Sequence, residues 1–273
     1  MATSTNNGTK QYAGGKMLAA INDGIGLVTF NQPEKRNAIS IDMWQGLGQI
    51  FDEFAEDHDV RVVVMTGAGD RAFVSGADIS QFEAHRSNAE ASREYDRIAG
   101  VGRASLAAFP KPIIARIRGF CLGGGLWIAM HADLRIASRN STFGIPAARL
   151  GVAYGLDGIG RLVDLVGPAH ARMILYSARQ INALEAERIG LINQAVEVED
   201  LESTVTDLAH TIANNAPLSV WSSKLIIDQL LKDPSARDMD AIRNAMTTCM
   251  NSADFREGRT AFMEKRQPRF QGK

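Results

Sequence analysis

The sequence predicts an α/β fold with a separate helical region at its end. Short apolar runs rich in β-branched residues alternate with longer helical patterns through the first two thirds of the 273 residues. After about Val196 only helical patterns remain. We therefore predict a disordered polar tail at 1–15, a core at 16–198 and a C-terminal helical oligomerisation region at 199–273.

Five runs predict strands, since each is short, apolar and bounded by turn residues: MLAAI, GLVTF, RVVVMTG, PIIARIRG and DLRIAS. A helix is predicted from about Ile41 to His58, with Ser40 as its N-cap. A second, amphipathic helix is predicted from about Ser87 to Ala108, before Pro110. The C-terminal region predicts four helices: LESTVTDLAHTIANN, LSVWSSKLIIDQLL, AIRNAMTTCM and DFREGRTAFMEKR.

Composition excludes several classes of protein. Thirty basic and 31 acidic side chains give a net charge of -1, so no strong field is available to attract nucleic acid. No run approaches the roughly 18 apolar residues of a membrane span, and the N-terminus lacks an apolar signal, so we expect a cytoplasmic protein without a membrane partner. The two cysteines lack metal-ligand spacing, and we expect no metal site.

Three glycine-containing loops follow predicted strands. GAGDRA at 67–72 formally fits a dinucleotide-binding fingerprint, but a β-like run follows it where that fingerprint requires a helix. In SGAD, Asp78 is placed to cap a short helix, ISQFEAH. In FCLGGG, glycines precede the apolar helix LWIAMHAD, either to expose N–H groups to a ligand or to allow close packing. His131, at the end of that helix, is expected to be a core residue.

Five segments together resemble the crotonase superfamily, also called the enoyl-CoA hydratase/isomerase family: NQPEKRNAIS, AFVSGADI, FCLGGGLWIAMHADLRIAS, STFGIPAARLGV and FREGRTAFMEKRQPRF. The resemblance implies a spiral of ββα turns and a homotrimer, often paired into a hexamer, with an acyl-CoA substrate. It implies no cofactor beyond the CoA moiety of that substrate.

The resemblance also assigns roles to residues. The backbone N–H groups of Ala77 and Gly124 would form an oxyanion hole for the thioester oxygen. The residues expected beside CoA are Lys35, Arg36, Ala38 and Ala72 of the same chain, with Phe262 and Lys265 reaching in from a neighbouring subunit.

Two positions depart from the family's hydratase pattern. Where family hydratases carry glutamates, this chain has Trp127 and Ala147. Hydration needs a base for water and an acid for the α-proton, and neither an indole nor a methyl group supplies one. Isomerase- or decarboxylase-like chemistry is therefore favoured. A hydratase that uses other groups and a catalytically silent acyl-CoA-binding protein remain as alternatives.

Two residues are candidates for the reaction that remains. Asp157 is the only carboxylate in LGVAYGLDG, and partial burial would raise its pKa toward useful basicity, although it could equally be the N-cap of a helix beginning near Gly158. Tyr154 is the other, because LGVAYGLDGI is similar to LGVPYNLVGI of methylmalonyl-CoA decarboxylase. That enzyme has a histidine where this chain has Ala77, and packing would also explain the tyrosine.

Overall fold

The fold is taken from a computed structural model that describes residues 7–78 and 89–273. The strands of this part of the chain are β1 Asn7–Tyr12, β2 Met17–Asn22, β3 Ile25–Phe30, β4 Val62–Gly67, β5 Ala72–Val74, β6 Ile113–Ile117, β7 Phe120–Leu122, β8 Leu134–Ser138, β9 Thr142–Gly144, β10 Ile181–Asn182 and β11 Gln194–Val196. The α-helices described are α1 Ile41–Glu56, α2 Ala89–Ala107, α3 Gly124–His131, α4 Ala147–Leu150, α5 Leu156–Ser177, α6 Ala183–Arg188, α7 Leu201–Ala213, α8 Pro217–Leu230, α9 Met239–Asn251 and α10 Ala253–Glu264.

The strands form two sheets. The larger has the order β1-β2-β3-β4-β6-β8-β11, and its strands from β3 to β11 run parallel. The smaller has the order β10-β9-β7-β5, in which β5, β7 and β9 run parallel. The prediction of an α/β fold is confirmed, and each of the five predicted strands is present. The four predicted C-terminal helices correspond to α7 through α10.

Apolar side chains form a large core and a smaller one. The large core joins α1, α3 and the small sheet, and the fully buried rings of Phe30 and Phe73 meet edge to face within it at 5.4 Å. The smaller core lies where α7 covers the large sheet, and Val205 packs there with Val64 and Ile136. Within the described residues, no helix has the length and apolarity needed to cross a bilayer.

The predicted disordered tail at 1–15 is wrong for residues 7–12, which form β1 and pair antiparallel with β2. Backbone hydrogen bonds to β2 hold this strand at the edge of the sheet. Its side chains are mostly polar, so the sequence showed no apolar pattern that would predict a strand. Glu53 on α1 fixes it further, since it accepts hydrogen bonds from the Lys10 ammonium at 3.0 Å and the Tyr12 hydroxyl at 2.8 Å. Burial, reinforced by Glu53, raises the pKa of Tyr12 to about 12.

Ser40 precedes α1 as predicted, but its side chain does not cap the helix. Its hydroxyl donates to the Asp42 carboxylate, and Asp42 in turn accepts the N–H of Met43 at 3.1 Å. The helix predicted after Asp78 lies outside the described residues. The loop at 67–72 joins β4 to β5. A strand therefore follows it, and not the helix that a dinucleotide-binding fingerprint needs.

Candidate active site

The candidate active site lies at one edge of the small sheet. Because β5, β7 and β9 are parallel neighbours, the loops that leave their carboxyl ends meet there, and ligands commonly bind at such an edge. A cavity of about 460 Å³ opens at this place. Its walls include residues from these three loops and from α1, α2, α3, α4 and α5.

Ala77 presents its N–H to the cavity because a short parallel bridge fixes the neighbouring backbone. The N–H of Ile39 donates to the carbonyl of Gly76 at 2.8 Å, and the N–H of Asp78 donates to the carbonyl of Ile39 at 2.9 Å. In a parallel pairing of this kind, the residue between the two bonded neighbours turns its own N–H the other way. For Ala77 that direction is away from Ile39 and toward the α3 side.

Gly124 brings a second N–H to the same place. It is the first residue of α3, where an N–H has no partner within the helix. A methyl group at Gly124 would lie 3.9 Å from the Ala77 nitrogen. Within the described residues, neither of these two N–H groups donates a hydrogen bond to the protein. Two unpaired donors at a helix N-terminus form a suitable site for a developing oxyanion.

Each glycine of the loop at 123–125 is explained by a different structural constraint. Gly123 has φ 51°, which only glycine adopts readily. A methyl group at Gly125 would lie 2.0 Å from the carbonyl oxygen of Val74, so close packing excludes any side chain there. A methyl group at Gly124 would meet only ordinary contacts. Ligand access and close packing, the two explanations left open by the sequence, thus apply to different residues of one loop.

Trp127 and Ala147 both line the cavity, and both are 7% exposed. The Trp127 indole meets Trp44 edge to face at 5.7 Å and stacks on the His131 ring at 3.7 Å. Ala147 is the first residue of α4. The cavity therefore receives an indole and a methyl group at these positions, and no carboxylate.

His131 is part of the packing behind Trp127. Its Nδ1 lies 2.8 Å from the carbonyl oxygen of Trp127, which can only accept, so Nδ1 carries the proton. Burial is the main cause that lowers the pKa of His131 below its ordinary value. His131 is thus held in the neutral form, in agreement with its interpretation as a core residue.

Tyr154 and Asp157 both line the cavity but differ in exposure. Tyr154 is half-buried, and its hydroxyl would lie 3.6 Å from a methyl group at Gly123, beside the two N–H groups. Asp157 is exposed in the first turn of α5, so the partial burial considered for it is not observed. It is not an N-cap either, because α5 begins at Leu156 and its cap is Gly155.

The residues expected beside CoA fall into two groups. Lys35 forms an ion pair with Asp78 at 2.8 Å, and this hydrogen bond raises the pKa of Lys35. The Arg36 guanidinium lies 5.3 Å from the centre of the Phe120 ring. Ala38 and Ala72 are buried in the same region, where the Asn37 amide donates to the carbonyl of Ala72.

Phe262 and Lys265 form the second group, on and just after α10. The Phe262 ring is 82% exposed, and neither residue lines the cavity of this single chain. A search of the described residues finds no group of three or more His, Cys, Asp or Glu that could hold a metal ion.

Several residues that line the cavity were missed by the sequence analysis. Trp44 on α1 and Tyr95 and Arg103 on α2 all line the cavity. Trp44 and Tyr95 were taken only as parts of amphipathic helices, whose buried face does not reveal whether it meets a core or a cavity. A positive charge inside the predicted helix 87–108 was the one signal for Arg103, and solvated helix faces carry the same signal.

Comparison with known proteins gives consistent matches over most of the chain. Residues 20–273 match the protein family described as Enoyl-CoA hydratase/isomerase. The chain is 37% identical to a short-chain-enoyl-CoA hydratase of Clostridium acetobutylicum, over 89% of this chain and 92% of that protein. It is also 37% identical to a crotonyl-CoA hydratase of Syntrophomonas wolfei, over 90% and 94%.

A solved structure supports the same fold. The crystal structure of an enoyl-CoA hydratase/carnithine racemase from Magnetospirillum magneticum superposes with a TM-score of 0.91 at 33% identity. The match covers 94% of this chain and 96% of that one. The predicted spiral fold is confirmed by this agreement.

We expect the stability of the protein to fall in mild acid because of His131. Its pKa is lower in the folded state than the roughly 6.5 of an unfolded chain, so acid protonates the unfolded state first. The contribution of His131 to the free energy of unfolding should therefore be fully present above about pH 6.5. Below that pH the free energy of unfolding should fall, by at most about 1.4 kcal/mol per pH unit from this group.

The measurement is the melting temperature between pH 7.5 and pH 5 for the wild type and for His131→Asn, which keeps a donor for the Trp127 carbonyl. All other titrating groups are shared by the two proteins. The wild type should lose more of its melting temperature over this interval. Equal losses would contradict the assignment of a partly buried, neutral histidine.

Proposed function

The chain belongs to the enoyl-CoA hydratase/isomerase family, and on that premise we propose that it binds an acyl-CoA thioester and stabilises an enolate formed from it. The observation that carries this proposal is the convergence of the Ala77 and Gly124 N–H groups on one cavity. The thioester oxygen would accept both N–H groups as negative charge develops on it. Fixed backbone donors stabilise such charge because they need no reorganisation during the reaction.

We further propose that CoA lies along the Lys35 and Arg36 side of the site. Both residues are cationic, as phosphate binding requires, and the buried backbone around Ala38 and Ala72 would meet the adenine end. Lys35 already pairs with Asp78, so a phosphate would compete with that carboxylate or bind beside it. No cofactor beyond the CoA moiety is needed for this chemistry.

The environment of the oxyanion hole supports a reaction other than hydration. The relatives named above are hydratases, but Trp127 and Ala147 bring neither a base nor an acid into this cavity. The favoured reaction is decarboxylation. Loss of CO₂ leaves its electron pair on the α-carbon as an enolate, and a proton then adds to that carbon. We propose that the Tyr154 hydroxyl, which would lie 3.6 Å from a methyl group at Gly123, delivers this proton.

A second candidate is double-bond isomerisation through Asp157. Its carboxylate lines the same cavity from the first turn of α5. In this reaction the carboxylate would remove a proton from one carbon of the acyl group and return it to another, with the enolate between the two steps. One carboxylate is sufficient, because the same group acts first as base and then as acid.

We propose that three chains, or two sets of three, assemble into the active form, with Phe262 and Lys265 completing a neighbour's CoA site. Phe262 and Met263 are 82% and 80% exposed on α10, which leaves apolar surface uncovered in a single chain. Light scattering should give three or six times the 29.6 kDa of one chain. A monomer that binds CoA esters normally would contradict the shared site.

Removal of one N–H should weaken polarisation of the bound thioester without loss of the fold. Gly124 is the first residue of α3, where proline is tolerated, so Gly124→Pro deletes the N–H while the helix remains. Gly124→Ala is the matched control, since it adds a Cβ at the same place but keeps the N–H. Loss of one such donor typically slows turnover about 10²- to 10³-fold.

The direct readout is the carbonyl stretching band of bound butyryl-CoA labelled with ¹³C at the thioester carbon. Binding to the wild type and to Gly124→Ala should lower its frequency, and Gly124→Pro should reduce that shift. Circular dichroism spectra of the three proteins check the fold. An undiminished shift in Gly124→Pro would show that this N–H is not a donor to the substrate.

The reaction is tested by incubating the wild type with a panel of unsaturated and carboxylated acyl-CoA thioesters and identifying products by mass spectrometry. Crotonyl-CoA should be hydrated at least about 10³-fold more slowly than by a family hydratase with both glutamates, because polarisation alone does not activate water. A rate within tenfold of such an enzyme would overturn the proposal. Binding without any product would instead favour a silent acyl-CoA-binding protein.

Two substitutions separate the remaining reactions. Tyr154→Phe removes the proton donor and should slow a decarboxylase by about 10²-fold while an isomerase stays largely intact. Asp157→Asn removes the only proposed proton shuttle and should stop an isomerase while a decarboxylase continues. Equal effects of the two variants on one reaction would contradict the separate assignments.

A further inference from the structure

Arg103 brings a positive charge into the cavity that enolate stabilisation does not use. It lies on α2, and among the described residues it is the only lysine or arginine that lines the cavity. Its guanidinium carbon is 5.4 Å from the centre of the Trp44 ring and 5.8 Å from that of Trp127. The side chain is 29% exposed, so these two buried indoles remove it from much of the solvent.

The protein satisfies this guanidinium only in part. Its nearest described carboxylate is Asp96, with an oxygen 3.7 Å from Nη2, which is beyond hydrogen-bond distance. The Asp96 side chain is 59% exposed, and such pairs contribute little to stability. The two indoles interact with the guanidinium through their ring faces, as cation–π partners. They do not accept the hydrogen bonds that the guanidinium N–H groups donate in the plane of that group. Within the described residues, Arg103 donates no hydrogen bond to the protein.

The indole at position 127 explains why the N–H groups of Arg103 can bind a ligand. A glutamate at this position, as in the family hydratases, would place a carboxylate beside Arg103 and pair with it. The indole instead contributes its ring face, so the in-plane N–H donors of the guanidinium can bind a ligand. The same substitution that removes an acid–base group from the cavity therefore also leaves a cation there that a second anion can bind.

We propose that Arg103 binds a carboxylate at the far end of the substrate's acyl group, so that the preferred thioesters carry an ω-carboxylate. This inference rests on the proposed binding of acyl-CoA and holds for either reaction. The other carboxylates of the described lining are Asp96 and Asp157, both exposed to water, so their repulsion of a bound anion is screened. A guanidinium and a carboxylate form the strongest kind of charge-assisted pair, often with two hydrogen bonds.

The position of Arg103 limits the length of the acyl group. Trp127 lies three residues after Gly124, about 4.5 Å further along the helix. The guanidinium carbon lies 5.8 Å from the centre of that indole ring. Since Arg103 lines the same cavity as the two N–H groups, we infer that an acyl chain bound at them reaches the guanidinium after a few carbons. Short dicarboxylic acyl groups, with about four to six carbons, match this span.

The test compares glutaryl-CoA with valeryl-CoA by isothermal titration calorimetry, because the two esters have five-carbon acyl groups and differ in the terminal carboxylate. The wild type should bind glutaryl-CoA about tenfold or more tightly. Arg103→Gln, which keeps much of the stem, should abolish this preference and leave the affinity for valeryl-CoA within about threefold. Arg103→Lys, which keeps the charge without the fork, should retain part of the preference.

Asp96→Asn is the control for the neighbouring carboxylate. It should leave the preference for glutaryl-CoA unchanged or increase it, because it removes a competitor for the guanidinium. A wild type without the preference would overturn the inference, and so would an Arg103→Gln variant that weakens both esters equally, since that indicates a structural residue. If neither ester nor free CoA binds the folded wild type, the proposed function fails with it.

Discussion

The site depends on two neighbouring backbone N–H groups, those of Ala77 and Gly124, for which residues 7–78 and 89–273 supply no acceptor. A protein normally pairs its buried backbone donors, so two unpaired ones close together need a structural cause. Here the bridge between Ile39 and Ala77 turns one N–H toward the cavity, and the start of α3 supplies the other. The contact between Gly125 and the Val74 carbonyl fixes their separation, because it holds α3 directly against β5.

Much of this arrangement could be predicted from the sequence. The long strands and helices carry apolar patterns that decide their type, and the glycines before LWIAMHAD mark the loop that must approach another backbone. The resemblance to the crotonase superfamily singled out Ala77, Gly124, Trp127 and Ala147, and all four residues line one cavity. Glycine-containing loops leave a clear signal in a sequence because few other residues fit their backbone.

The rest depends on contacts that no local pattern records. Strand β1 is polar and is held by pairing and by Glu53, so it resembled a tail. The exposure of Asp157 depends on where α5 begins, and helix ends are the least predictable part of an element. Arg103 resembled any charge on a helix surface, and only the packing of α2 brings it beside the two indoles. Such information lies in tertiary packing alone.

The Ala77 and Gly124 N–H groups that line the cavity belong to the main chain, and this has a consequence for evolutionary change. Substitution of a side chain in the wall leaves both N–H groups where they are, provided that the glycine loop is kept. An enzyme could therefore lose one set of proton-transferring residues in evolution and still bind and polarise the proposed thioester. A different set could then be acquired later. Divergence of reaction on such a scaffold does not have to cross an inert intermediate, because main-chain donors persist through side-chain changes.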